Sequence, residues 1–152
     1  MNDTEQQTVC GLGIRSVAMV IDSFVWFALF FVAVYAIALP IGQLETGAGG
    51  VDADLQGGAG AAALVLWLGL AIGYHTLAEW RVGNTVGKYL VNIRVVEDSG
   101  TPLSLRSSAI RNVVRLLDWF PVWYVLGIVV LVVSDENKRL GDRIAGTKVI
   151  QP

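Results

Sequence analysis

One acidic residue, Asp22, lies in an apolar stretch (residues 17–41) in which it is the only charged residue. At about 1.5 Å per residue in a helix, this stretch is long enough to cross a bilayer. A carboxylate at that depth costs on the order of 3 kcal/mol unless it is paired, hydrated or protonated. Arg15 precedes Asp22 by seven residues, so the two side chains share one face of a helix. Asp22 is therefore the first candidate for chemistry in this chain.

A carboxylate inside a membrane has two chemical uses. It can bind and release a proton or a cation, which is how transport sites work. It can also be a permanent anion that an arginine neutralises, which fixes how helices assemble. Arg111, Arg115 and Arg143 remain charged at any working pH and are available as partners, as is Arg15. The sequence leaves both uses open.

The composition argues against an enzyme and against a metal centre. The chain has one cysteine and one histidine, so no histidine or cysteine cluster can bind a metal, and no intrachain disulfide can form. No serine lies in a nucleophile elbow. We therefore expect no catalytic residue, no metal and no cofactor. The tryptophans lie in or beside apolar segments, as in membrane proteins, and we expect no nucleic-acid binding.

His75 and Glu79 are a secondary candidate site. They are four residues apart at the end of an apolar segment, and this spacing predicts one pair on the surface of a helix. His75 is then either a pH sensor or a simple interfacial side chain.

The distribution of apolar residues predicts an integral membrane protein of one domain. The chain has 152 residues, is 54% hydrophobic and has a mean hydropathy of +0.58. Two full membrane spans are expected, over residues 15–39 and 59–77. Residues 1–13 are predicted to be a mobile N-terminus, and residues 43–58 a flexible loop, rich in glycine and acid, on the non-cytoplasmic side. Within the second span, Gly69-x-x-x-Gly73 predicts close approach of another helix.

The second half of the chain is predicted to contact the cytoplasm. Residues 78–152 hold ten basic residues and residues 1–77 hold one. A helix over 104–119 and a short apolar run over 121–133 together predict a helical hairpin that enters the membrane and returns. The expected fold is an all-α membrane protein, a bundle of about four membrane-embedded helices with both termini cytoplasmic. Three crossings are the alternative.

Two features complete the predicted architecture. Residues 89–97 and 147–150 are β-prone and are expected to pair in a small cytoplasmic β element. The helix over 104–119 places its polar residues on one face: Ser107, Ser108, Arg111, Asn112, Arg115 and Asp118. This face either lies in water, as in an interfacial helix, or turns Arg111 and Arg115 toward Asp22 within the bundle.

Four blocks of sequence resemble the RDD family of small membrane proteins, named for one arginine and two aspartates. The blocks are IRSVAMVID (14–22), EWRVGNTVGKYLVNIRVVEDSGTPLS (79–104), IRNVVRLLDWFP (110–121) and RLGDRIAGTKVI (139–150). By position, the resemblance implies that the arginine is Arg15 and that the aspartates are Asp22 and Asp142, with Asp118 as the alternative to Asp142. In two places the chain departs from the family pattern. It has Val86 where the family often has proline before Gly-Lys, and Gly141 where the family often has histidine before the second aspartate.

Three functional hypotheses follow. The resemblance implies transport of an unsettled ligand, and the best hypothesis is transport of a small solute, a cation or a proton across the cell membrane, with Asp22 as the polar site. Because about four short helices can hardly enclose a pathway, transport predicts a homo-oligomer. The first alternative is an accessory membrane protein whose buried Arg–Asp pairs set assembly, with Asp142 and Arg143 holding the C-terminal tail against Arg15. The second is binding of anionic lipids through Arg106, Arg111 and Arg115.

Overall fold

The computed structural model describes residues 8–47, 50–118 and 140–151, and it is mostly helical. In chain order the elements are β1 (Thr8–Val9), α1 (Leu12–Ala38), β2 (Leu44–Gly47), β3 (Gly50–Ala53), α2 (Gly58–Val82), α3 (Val86–Leu90), β4 (Arg94–Glu97), α4 (Leu105–Asp118), α5 (Leu140–Ala145) and β5 (Thr147–Gln151). The chain forms two compact units. One comprises residues 1–22 and 74–152, and the other comprises residues 23–73.

Two helices are long and apolar enough to cross a membrane. They span Gly13–Ala38, with a mean hydropathy of 2.4, and Gly58–Val82, with a mean hydropathy of 1.7. Only 17% and 22% of their most apolar windows are buried within the protein. The central helix of a soluble domain would bury most of its apolar surface, whereas here large side chains such as Phe24 and Phe27 are exposed. This pattern fits a membrane protein.

The unit formed by residues 23–73 contains aromatic contacts and a β-hairpin. Trp67 packs edge-on against Trp26 and Phe30, and its indole nitrogen donates to the carbonyl of Trp26 at 2.9 Å. Strands β2 and β3 pair from Leu44–Ala53 to Gly47–Gly50, where the sequence predicts only a flexible loop. The predicted close approach at Gly69 and Gly73 is not seen, because an added Cβ at either position would meet no described atom within 4 Å.

The other unit contains a three-stranded antiparallel sheet in the order β1-β5-β4. The predicted pairing of the two β-prone segments is present, but β4 begins at Arg94 and not at residue 89, because residues 86–90 form α3. Asn92 adopts a left-handed φ of 54°, which the short polar side chain of asparagine tolerates. Residues 8 and 9 pair with β5, so the part of the N-terminus that the structure describes is ordered, whereas the sequence predicts mobility up to residue 13.

Helix α4 presents its polar face to the protein and its apolar face outward. Ser104 caps it, accepting a hydrogen bond from the Ser107 amide at 3.1 Å. Ser108 and Asn112 are buried, whereas Leu105 and Val113 are 45% and 53% exposed. The prediction of an interfacial helix with its polar face in water is therefore wrong. Of the predicted hairpin, the first segment corresponds to α4, and residues 121–133 lie outside the described residues.

Candidate functional site

Seven ionisable side chains meet within the unit formed by residues 1–22 and 74–152. They come from helices α1 to α5, and four are basic and three acidic. We call them the buried charge cluster: Arg15, Lys88, Arg111, Arg115, Asp22, Glu79 and Asp142. All are buried except Arg115, which is half-buried. Because an unpaired buried charge is strongly unfavourable, the partners of each group decide what the cluster can do.

Asp142 is shared between two arginines. Its Oδ2 accepts from Nη2 of Arg15, and its Oδ1 pairs with Nη1 of Arg111. Asp142 belongs to α5, while Arg15 lies near the start of α1 and Arg111 is in the middle of α4. The structure thus places the predicted partners Arg15 and Asp142 together and adds Arg111 to them.

Glu79, in the last turns of α2, has no exposed surface and three partners. It pairs with Nζ of Lys88, its Oε2 lies 3.2 Å from Nε of Arg111, and it accepts from Nδ2 of Asn112 at 3.1 Å. Arg111 therefore bridges Glu79 and Asp142. Glu79 is a buried residue that joins α2, α3 and α4, and the prediction that it lies on a helix surface is wrong.

Asp22 is held by neutral donors. Its Oδ2 accepts from the Thr85 hydroxyl at 2.6 Å, and its Oδ1 accepts from the Gly87 amide at 2.8 Å. No basic side chain of the described residues forms an ion pair with it, so the predicted ion pair with Arg111 or Arg115 is absent. The reason is that α3 packs against this face of α1, so that the Gly87 amide in α3 and the hydroxyl of Thr85, just before α3, occupy the hydrogen-bonding positions of the carboxylate.

Close approach of α3 to α1 depends on Gly87. A Cβ added there would lie 2.1 Å from the carbonyl oxygen of Ala18 and 2.9 Å from Oδ1 of Asp22. No real contact is this short, so only glycine allows the backbone amide to reach Asp22. Gly87 therefore serves this close contact between two helices.

His75 and Arg115 form the edge of the buried charge cluster. Nδ1 of His75 lies 3.3 Å from Nη1 of Arg115. A guanidinium can only donate, so Nδ1 is the acceptor and the imidazole is neutral with its proton on Nε2. His75 is buried in α2, so the prediction that it pairs with Glu79 on the surface of a helix is wrong.

Three other residues singled out from the sequence do not join the cluster in the described part of the chain. Arg143 and Arg106 are exposed. The side chain of Asp118 lies outside what the structure describes. Because Arg111 and Arg115 face the cluster while Arg106 does not, the three arginines proposed for lipid binding do not form one surface.

A cavity of about 30 Å³ lies inside the cluster, large enough for a water molecule. The side chains that line it include Asp22, Lys88, Asn112 and Arg115. Asn112 donates both amide hydrogens, to Glu79 and to the carbonyl of Ser108, which leaves its Oδ1 without a hydrogen-bond partner among the described residues. The cavity therefore presents basic donors, a carboxylate and one unused acceptor.

The surroundings of Lys88 favour the neutral form of its amine. Burial lowers the pKa of Lys88 to about 7, with Arg111 and Arg115 acting in the same direction and Glu79 opposing them. Sequence reasoning did not select Lys88, Asn112 or Thr85 as site residues. No local signal marks Lys88, because its partner Glu79 lies nine residues away in another helix.

Comparison with known proteins gives one match. The RDD family model matches residues 9–146, a range that contains all seven members of the buried charge cluster. No curated protein and no solved structure matches the chain. With two apolar helices long enough to cross a bilayer and a match over most of its length, the chain belongs to the RDD family.

Proposed function

We propose that this protein transports a small solute or ion across the cell membrane, coupled to a proton, with the buried charge cluster as its polar site. Both termini are then cytoplasmic and the protein is a homo-oligomer, because the helices of one copy are too few to enclose a pathway. The observation that carries the proposal is the cavity lined by Asp22 and Lys88 inside a cluster formed by residues of two apolar helices and their neighbours.

Two members of the cluster differ from the rest in a way that favours transport. Asp22 accepts hydrogen bonds from neutral donors and forms no ion pair with a basic side chain of the described residues. Lys88 has a pKa near neutrality and can lose a proton at physiological pH. Glu79 and Asp142, by contrast, are each held by two or more donors that include arginine. Charge exchange is therefore expected at Asp22 and Lys88.

Proton flux in liposomes tests the proposal. The protein is reconstituted with a pH-sensitive dye inside the vesicles, and gradients of inorganic cations and anions are applied in turn. We expect flux with the native protein and its loss in Asp22→Asn. Asp54→Asn, an exposed aspartate beyond the β2–β3 hairpin, is the matched control and should retain the flux. No flux with any gradient, or equal flux in Asp22→Asn, contradicts the proposal.

A second candidate function is that of an accessory membrane protein whose charges set assembly. The observation that favours it is the double bridge made by Arg111, which joins α2, α4 and α5 through Glu79 and Asp142. Exchanging Arg15 and Asp142 does not test this role cleanly, because an arginine at 142 would face Arg111. A double-mutant cycle with Arg15→Met and Asp142→Asn does, since it isolates the coupling energy of the pair. Coupling of about 1 kcal/mol or more with no flux in any variant supports assembly, and coupling near zero contradicts it.

A further inference from the structure

The charge balance of the cluster depends on one proton. With every described member ionised, four positive charges face three negative ones; with Lys88 neutral, the two signs balance. An uncompensated charge in a buried site is strongly unfavourable, so protonation of Lys88 creates a demand for one negative charge. Nothing in the described part of the cluster supplies it.

The cavity contains the hydrogen-bond donors that an anion needs. Arg115 uses Nη1 toward His75, and its Nε and Nη2 have no hydrogen-bond partner among the residues described. Lys88 carries three N–H groups and directs one to Glu79. Both side chains line the cavity, and Arg115 is half-buried.

The unused acceptor in the cavity, Oδ1 of Asn112, fits an anion that carries a hydroxyl group or binds together with a water molecule. Oδ1 of Asn112 can accept such a donor, since both amide hydrogens of Asn112 are already used. The carboxylates of Asp22 and Asp142 also line the cavity and repel an anion, but each already accepts from protein donors. The favourable position is therefore on the side of Arg115 and Lys88.

We propose that this cavity binds one small monovalent anion together with one proton on Lys88, so that the solute moved by the function proposed above is an anion accompanied by a proton. The transport part of this inference rests on that proposed function, whereas the binding part does not. The ligand class is a small anion of about the size of chloride, nitrate or formate, because the cavity volume is only about 30 Å³.

Coupling between the proton and the anion follows from the groups that face Lys88. They are Glu79 and His75 of α2, Arg111 and Arg115 of α4, Arg15 and Asp22 of α1, and Asp142 of α5. Burial and the two α4 arginines lower the pKa of Lys88, and a bound anion would raise it. By thermodynamic reciprocity, the proton then strengthens anion binding by the same factor.

Anion-dependent unfolding of the purified full chain in detergent tests the binding. Chloride, nitrate and formate are each titrated against gluconate, which is too large for the cavity, at constant ionic strength and at several pH values from 6 to 9. A ligand that binds only the folded state raises the unfolding temperature. We expect at least one small anion to do so, with an apparent affinity that falls by up to about tenfold per pH unit above pH 7.

Variants identify the site. Arg115→Gln should weaken anion binding at every pH, and Lys88→Met should remove the pH dependence. Arg106→Gln, an exposed arginine on the same helix, is the matched control and should behave as the native protein. If Lys88→Met does not fold, Arg115→Gln against Arg106→Gln still decides, because Arg115 is only half-buried. Equal unfolding in the small anions and in gluconate at every pH overturns the inference, as does equal anion binding in Arg115→Gln and Arg106→Gln.

The same anions in the liposome assay separate this inference from the proposed function. Proton uptake that follows an imposed small-anion gradient and is absent with gluconate supports both. Proton flux that is indifferent to the anion supports transport and overturns the anion site as its solute site. Anion binding in detergent without any flux supports the site and contradicts transport.

Discussion

Among the glycines of the described helices, Gly87 is the one whose replacement by alanine should destabilise the protein most. The new Cβ would lie 2.1 Å from the Ala18 carbonyl oxygen and 2.9 Å from Oδ1 of Asp22. The obstacles are a helix backbone and a hydrogen-bonded carboxylate, so neither can yield by rotating a flexible side chain. Helix α3 must instead move away from α1.

The magnitude follows from two contributions. Forcing an extra methyl group into a filled contact costs about 1–3 kcal/mol. Moving α3 also weakens the hydrogen bond from the Gly87 amide to the Asp22 carboxylate, and such a bond to a charged group contributes about 1.5–3 kcal/mol. The two costs do not add in full, because the same displacement of α3 that relieves the steric overlap also weakens the hydrogen bond. We expect the free energy of unfolding to fall by about 3 kcal/mol.

Equilibrium unfolding in mixed detergent micelles, followed by circular dichroism, measures this change. Gly69→Ala is the matched control, since its Cβ would meet no described atom within 4 Å and alanine is the better helix former by about 1 kcal/mol. Gly69→Ala should leave the protein as stable or slightly more stable. If the free energies of unfolding of the Gly87→Ala and Gly69→Ala proteins differ by less than about 1 kcal/mol, the close contact between α3 and Asp22 does not exist as described.

Three further predictions concern other charged and polar groups. Arg111→Met leaves two buried carboxylates short of a partner and should lower the free energy of unfolding by about 3–5 kcal/mol. Arg143 is exposed, so Arg143→Met should change the free energy of unfolding by about 0.5 kcal/mol or less. Equal effects of the two substitutions would contradict the double bridge. Lys88 has a pKa of about 7 in the folded protein and its ordinary pKa of 10.5 in the unfolded chain, so between pH 7 and 10.5 the unfolded chain binds more protons. In gluconate buffer the free energy of unfolding should therefore rise with pH over this range in the native protein and not in Lys88→Met. A rise retained in Lys88→Met would refute the assignment. Burial raises the pKa of the Cys10 thiol, opposed by Arg15, so a maleimide should label Cys10 slowly in the folded protein and rapidly after unfolding, and fast labelling of folded protein would show that this part of the core is open.

Much of the fold follows from local patterns in the chain. The two apolar spans, the helix after Ser104 and the pairing of the segment near residues 94–97 with 147–151 can all be read from the residues, because hydropathy, capping and β-propensity act over short distances. The resemblance that carried the family assignment is of the same kind, since it consists of short blocks in a fixed order. It was the resemblance that grouped Arg15, Asp22 and Asp142, with Asp118 as the alternative to Asp142.

The orientation of α4 could not be read in this way. Its periodicity separates a polar face from an apolar one, but periodicity is the same whether the surroundings are water or lipid. In water the polar face turns outward, whereas beside acyl chains the apolar face can do so without penalty. Arg111 and Asn112 face the protein interior because carboxylates from α2 and α5 are there to pair with them, and Ser108 donates to the backbone carbonyl of Thr76 in α2.

The sequence shows which charged groups the chain contains, but not which of them are buried or which charge meets which. The buried charge cluster contains three arginines, yet Asp22 is held by Thr85 and Gly87, because a glycine lets one backbone approach another. Lys88 takes Glu79 as its partner from a different helix. Such pairings are set by the distances between elements remote in sequence, and a buried carboxylate accepts hydrogen bonds from whichever donors, charged or neutral, the packing brings closest.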